Sequence, residues 1–173
     1  PKVLSAARTL AALNPHVAVE PVAARLDAAL AARLVPGRDL VLDGSDNFAT
    51  RALVNAACVA AGVPLLAGSV GQWEGQLALY DPARGAPRLA CLFPEEPAPG
   101  LAPDCAAAGV MGALPGILGS MMAAEAIKEL TGAGRSLRGR LLIHDALWGE
   151  GREIEVARRP GCPVCGAIHG GQG

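Results

Sequence analysis

Apolar residues recur at helical spacing from the start of the chain. Val3, Leu4, Ala7, Leu10 and Ala11 share one face of a helix predicted over 2–13, which Asn14-Pro15 closes. HVAVEPV, residues 16–22, alternates and predicts a strand, with Pro21 setting its end near a sheet edge. ARLDAALAARLV, residues 24–35, predicts a second amphipathic helix stopped by Pro36-Gly37. DLVLD, residues 39–43, is the short apolar run of a parallel strand buried on both faces. NFATRALVNAACVAAGV, residues 47–63, predicts a third helix with Asp46 as N-cap and Gly62 as the glycine beyond its end. PLLAGSV and EGQLALY then read as two strands joined through Gly71-Gln72-Trp73.

The texture changes after Tyr80. Residues 81–105 hold six of the chain's 14 prolines and no periodic apolar pattern, which predicts a long functional loop. A long apolar helix closed by Gly132 follows. Its Gly112, Gly116, Gly119, Ser120 and Ala123 form a small-residue stripe suited to close packing against a sheet or helix, with Pro115 in the first turn. RGRLLIHDAL and REIEVARRP predict an antiparallel strand pair, and GCPVCG follows. Alternating helices and strands predict an α/β fold: a Rossmann-like, mostly parallel sheet with helices on both faces, plus the antiparallel pair and a cysteine knuckle. We expect one domain over 1–173, divided into a helix–strand part (1–80), a crossover loop (81–108) and a C-terminal part (109–173).

Composition narrows the classes. The chain is 51% hydrophobic but 3% aromatic, so its core is built from Ala, Val and Leu. A net charge of −1 argues against a nucleic-acid footprint or a polybasic membrane anchor. The charge-free part of the apolar helix, Val110 to Ala124, is shorter than the ~20 residues that span a bilayer. Five cysteines, two of them in CxxC, suit a reducing compartment and metal or thiol chemistry better than a disulfide framework. The N-terminus carries no signal-peptide pattern, and a start at Pro1 without an initiator Met suggests a piece of a longer protein.

The chemistry gathers after DLVLD. In open α/β sheets ligands bind beyond the carboxyl ends of the strands, and there Asp43, Asp46, Asn47 and Arg51 arrive within nine positions, with Asn55 one helical turn later. A helix cap plus a solvated Asp–Arg pair explains the pattern as well as a ligand site does.

The block DLVLDGSDNFATRALVNAACVAAGVPLLAGSVGQWEGQLALY resembles the central part of the MoeB/ThiF/HesA family, the ubiquitin-activating-like adenylyltransferases of sulfur-carrier proteins. PKVLSAARTLAALNP, CLFP, DCAAAGVMGALPGILGSMMAAEAIKELTG and RRPGCPVCG match its other blocks in order, so the likeness runs from residue 2 to about residue 166. The resemblance implies adenylation of a carrier's C-terminal glycine with ATP and Mg²⁺, for thiamine, molybdopterin or related sulfur transfer, by a cytoplasmic homodimer. Asp46 falls on the metal-associated aspartate and Lys2 on the phosphate-contacting lysine; Asn47 and Arg51 follow the same cofactor-binding pattern. Cys105 matches a loop cysteine that some relatives link covalently to the carrier; the helix start after it would lower its thiol pKa, Asp104 beside it works the other way, and a spare loop cysteine is the alternative.

Two departures stand out. No GxGxxG phosphate loop occurs among these residues, so the isolated chain is expected not to bind ATP usefully. Relatives place two CxxC pairs around zinc. Here Cys162 and Cys165 supply one and Cys91 half of the other, but Arg88 stands at the fourth position. Three thiolates with His169 or water, or a knuckle without metal, both remain open. Two further readings are a carrier-docking or dimerisation module without catalysis and a small zinc or thiol-redox domain. Cys58 is expected in the core, Trp73 at a packing or interface position; His16 and His144 receive no role.

Overall fold

The computed structural model of the chain describes residues 1–81, 83–93, 109–159 and 162. Helix α1 (Lys2–Leu13) is followed by α2 (Ala28–Leu34), β1 (Val41–Asp43), α3 (Phe48–Ala61), β2 (Leu65–Val70) and β3 (Glu74–Tyr80). A four-residue turn of helix, α4 (Leu89–Leu92), precedes the long helix α5 (Leu114–Thr131) and the strands β4 (Arg140–Asp145) and β5 (Glu150–Glu155).

The strands form one sheet in the order β1-β2-β3-β4-β5. Among the described strands only β1 and β2 run parallel, with Val41 beside Leu65; β2–β3, β3–β4 and β4–β5 are antiparallel. The α/β architecture is as expected, but the mostly parallel sheet is here a mixed one. The reason is local: Gly71 to Trp73 turn the chain straight back, with Gly71 N–H donating to Glu74 O at 2.7 Å, so β3 must oppose β2.

Alternation along the strands builds two cores. Leu65, Ala78, Tyr80 and Leu141 face one way, packing with Val54 and Cys58 of α3, Val35 and Leu89. Leu66, Leu77 and Leu79 face the other way and meet Leu118 and Ala126 of α5. Helices therefore do cover both faces, because neighbouring strand residues point to opposite sides.

Several local expectations are corrected. Residues 16–22 form no strand: they turn at Pro15-His16 and are mostly exposed, only Val19 and Val22 being half-buried, with no neighbouring strand among the described residues to satisfy a ladder. Helix α2 starts later, because the Asp27 side chain accepts from Leu30 N–H at 2.8 Å and caps it there. The small-residue stripe of α5 does not lie against the sheet. A Cβ added at Gly116 or Gly119 would meet nothing within 4 Å. Close approach comes instead from the sheet, where a Cβ at Gly68 would lie 2.6 Å from Met122 Sδ and one at Gly75 3.0 Å from Leu118 Cδ1. Pro115 does sit in the first turn of α5, and left-handed glycines follow α3 and α5 at Gly62 (φ 68°) and Gly132 (φ 71°). No residue of α1 is buried. Among the described residues, no helix is long and apolar enough to cross a membrane.

Candidate functional site

Strand β1 ends at Asp43, and the turn Gly44-Ser45-Asp46 leads into α3 at the carboxyl end of the parallel pair. The turn is held by named bonds. Asp43 is buried, and its Oδ1 accepts from Ser45 N–H at 2.8 Å. The Arg51 guanidinium reaches back and donates to the Ser45 carbonyl twice, from Nε at 3.0 Å and from an η nitrogen at 2.7 Å. Ser45 is thus gripped at both its N–H and its C=O.

The expected cap is corrected. Asn47, and not Asp46, caps α3: its side-chain oxygen accepts from Thr50 N–H at 2.9 Å. Capping needs one side chain, so the Asp46 carboxylate is released from that duty. Asn47 also turns its amide to Asp46 Oδ1 at 3.3 Å. That bond, first, and one to the Asp46 backbone hold the carboxyl below its ordinary range. Burial opposes the shift, and the charges of Lys2 and Arg51 add to it. Asp46 is exposed and makes no ion pair among the described residues. It is an ionised, solvent-facing oxygen donor at a helix N-terminus, the hard type that Mg²⁺ accepts while keeping several waters.

Lys2 opens α1 and is exposed. Its charge is felt at Asp46. The open hollow of about 420 Å³ beside it is lined by Lys2, Ser5, Ala6, Thr9 and Leu10, without Asp46. A second groove, about 490 Å³ between α2 and α3, is lined almost wholly by alanines and leucine and carries no candidate chemistry.

Other candidates are placed elsewhere. Asn55 does not join the mouth: it is buried, and its Oδ1 accepts from Leu89 N–H at 3.3 Å. Cys58 is core, as expected, and burial first, then the Asp43 charge, push its thiol up to about 12. The Ser45 carbonyl was not singled out in the sequence; the i to i+6 spacing from Ser45 to Arg51 was the one available signal. Cys105 lies outside the described residues, as do Cys165 and His169.

The zinc expectation can be tested in part. Cys162 is buried and packs with Ala90 and Cys91. Arg88, the residue at the fourth position, is itself 4% exposed. A guanidinium carries no lone pair for a metal and stays protonated, so these residues do not fit the closed four-thiolate shell of a structural zinc. Among the described residues no cluster of three metal-ligating side chains occurs.

Comparison with known proteins agrees with this architecture. The ThiF family model matches residues 1–164. A sulfur carrier protein adenylyltransferase of Thermus thermophilus is 48% identical over 170 residues, covering 96% of this chain and 63% of the relative. A molybdopterin-synthase adenylyltransferase of Escherichia coli is 44% identical over 169 residues, covering 96% of this chain and 66% of the relative. Among solved structures, E. coli MccB with ATP superposes with a TM-score of 0.78 at 19% identity, over 96% of this chain and 51% of that one, a likeness of fold. The chain thus spans about two thirds of the length of these curated relatives. By its sequence blocks, its sheet and this match, the chain belongs to the ThiF family.

Proposed function

We propose that the protein containing these residues is an adenylyltransferase that activates the C-terminal glycine of a ubiquitin-like sulfur carrier with ATP and Mg²⁺, acting as a homodimer. The supporting observation is the Asp46 carboxylate: ionised, relieved of capping by Asn47, and standing beyond the carboxyl end of β1 within the field of Lys2. The adenylyltransferase relatives supply the reaction class.

Asp46 would hold Mg²⁺, which supplies charge neutralisation on the phosphates when bound. Lys2 would place a second positive charge against them. The carrier's carboxylate oxygen bonds to the α-phosphorus as the bond to the bridging oxygen of pyrophosphate breaks, giving an acyl-adenylate. We assign Cys105 the later covalent step: its thiolate attacks the acyl carbon, forming a thioester as AMP leaves. The triphosphate needs a nest of backbone N–H groups, and no GxGxxG motif occurs in the given sequence to supply one.

ATP–pyrophosphate exchange by the full-length protein with a carrier ending in Gly-Gly tests the reading. Asp46→Ala should lower exchange by roughly 100-fold or more; unchanged exchange would remove Asp46 from the reaction. Micromolar binding of ATP to the isolated chain by calorimetry would contradict the need for a further phosphate loop.

A further inference from the structure

We propose that Arg51 is a positioning residue that acts through Asp46, and that its guanidinium does not touch the nucleotide. The proposal rests on the reading of Asp46 given above and deepens it.

The geometry is specific. Two N–H groups of one guanidinium converge on a single backbone oxygen, Ser45 O, at 3.0 and 2.7 Å. That carbonyl belongs to the peptide unit that carries the Asp46 N–H. Fixing its plane restricts ψ of Ser45 and φ of Asp46, the two torsions that aim the Asp46 side chain. On the other side of Ser45, Asp43 Oδ1 fixes the preceding peptide unit through Ser45 N–H. Beyond Asp46, Asn47 caps α3 with its oxygen and holds Asp46 Oδ1 with its amide. Asp46 is therefore bracketed on both sides, and Arg51 supplies the bracket on the turn side.

The same bonds argue against a phosphate contact. To reach a ligand, Arg51 would withdraw two donors from a part-buried carbonyl. The turn already carries polar atoms, Asp43 Oδ2 and Ser45 Oγ, buried without a hydrogen-bond partner among the described residues. Stripping Ser45 O of its donors would enlarge that deficit. A carbonyl between two short N–H contacts is a stable resting place for this guanidinium, not a waiting position.

The test is a double-mutant cycle in the full-length protein, read as ATP–pyrophosphate exchange with a Gly-Gly-ended carrier while Mg²⁺ is varied. Arg51→Met keeps the length and removes every donor. It should lower kcat/KM by roughly 10- to 100-fold, as a misaimed catalytic group does, and raise the Mg²⁺ concentration for half-maximal rate. KM for ATP at saturating Mg²⁺ should move by less than about 2-fold, since no nucleotide contact is lost. Arg51→Lys, with one donor in reach, should recover part of the loss. In an Asp46→Ala background, Arg51→Met should change kcat/KM by less than about 2-fold, because its target is gone. Additive losses, a raised KM for ATP at saturating Mg²⁺, or an Arg51→Met enzyme with unchanged Mg²⁺ dependence would each overturn the proposal.

A second measurement separates this from failure of the functional reading. Amide hydrogen exchange on the 173-residue chain needs no activity. Arg51→Met should speed exchange at Ser45 to Thr50 and leave the β2 and β3 amides unchanged. Unchanged exchange in the turn would sink the positioning role even if the full-length protein is an active adenylyltransferase. Fast exchange in the turn of a protein that makes no acyl-adenylate would sink only the function.

Discussion

Asn55, midway along α3, accepts a hydrogen bond from the Leu89 amide at 3.3 Å, joining residues 34 positions apart inside the core. The contact anchors the start of α4 to the helix that follows the candidate site. Asn55→Ala leaves a buried N–H without its acceptor, so urea denaturation should show a loss of about 1–3 kcal/mol. Asn55→Asp keeps an acceptor in place and should restore part of the loss at pH values where the carboxyl can be neutral. Equal stability of the Ala variant and the unsubstituted chain would show that water replaces the bond.

Glycines at two kinds of position should respond with opposite sign. A methyl at Gly68 would meet Met122 Sδ at 2.6 Å, but Met122 is flexible and half-buried and can swing aside, so Gly68→Ala should destabilise by no more than about 1 kcal/mol. Gly119 lies within α5 with open space around it, so Gly119→Ala should stabilise the isolated chain by about 0.4–1 kcal/mol. Thermal melts of the two variants check the pair; destabilisation by Gly119→Ala would mean that this helix face is covered in solution.

The Cys58 thiol gives a pH dependence of definite sign. Burial raises it from an ordinary 9.0 to about 12, so in the folded chain it stays protonated while the unfolded chain releases its proton above pH 9. The unfolded state then binds fewer protons, and stability falls as pH rises from 9 towards 12, by up to about 1.4 kcal/mol per pH unit from this group. Cys58→Ala should flatten that part of the stability curve, though it also leaves a small cavity at every pH. A curve of unchanged slope in the variant would remove Cys58 as the cause.

Arg88 makes the metal expectation testable. With a buried cation in place of the fourth thiolate, the purified chain should hold well under one equivalent of zinc by elemental analysis, and chelators should leave its folding unchanged. Arg88→Cys should raise zinc uptake towards one equivalent. Full occupancy in the unsubstituted chain would show that three thiolates and a further ligand suffice.

Much of the fold was legible in the sequence because periodicity and punctuation are local. Helix α1 ends at Asn14-Pro15, α3 and α5 end at left-handed glycines, and β2, β3 and β4 lie where apolar runs meet Gly and Asp turns. The strand expected at 16–22 failed because a strand is stabilised by its neighbours, and alternation by itself supplies none. The outward-facing glycine stripe of α5 misled for a similar reason: small residues permit close packing but do not say on which side it occurs.

At the site, residue types and order identified Asp46, Asn47 and Arg51 as one constellation, since they lie within two turns of chain. Only the tertiary structure divided the work among them. Two adjacent residues could each cap α3, and the backbone torsions at Asn47 chose it over Asp46. An arginine one turn inside a helix can face solvent, ligand or backbone, and the fold of the Ser45 turn brought a carbonyl within its reach. Sequence by itself determined which charges this protein carries into the turn after β1, because those follow from covalent order. Which of them point outward, free to meet a phosphate or a metal, is a matter of three-dimensional hydrogen bonding, which no local pattern encodes.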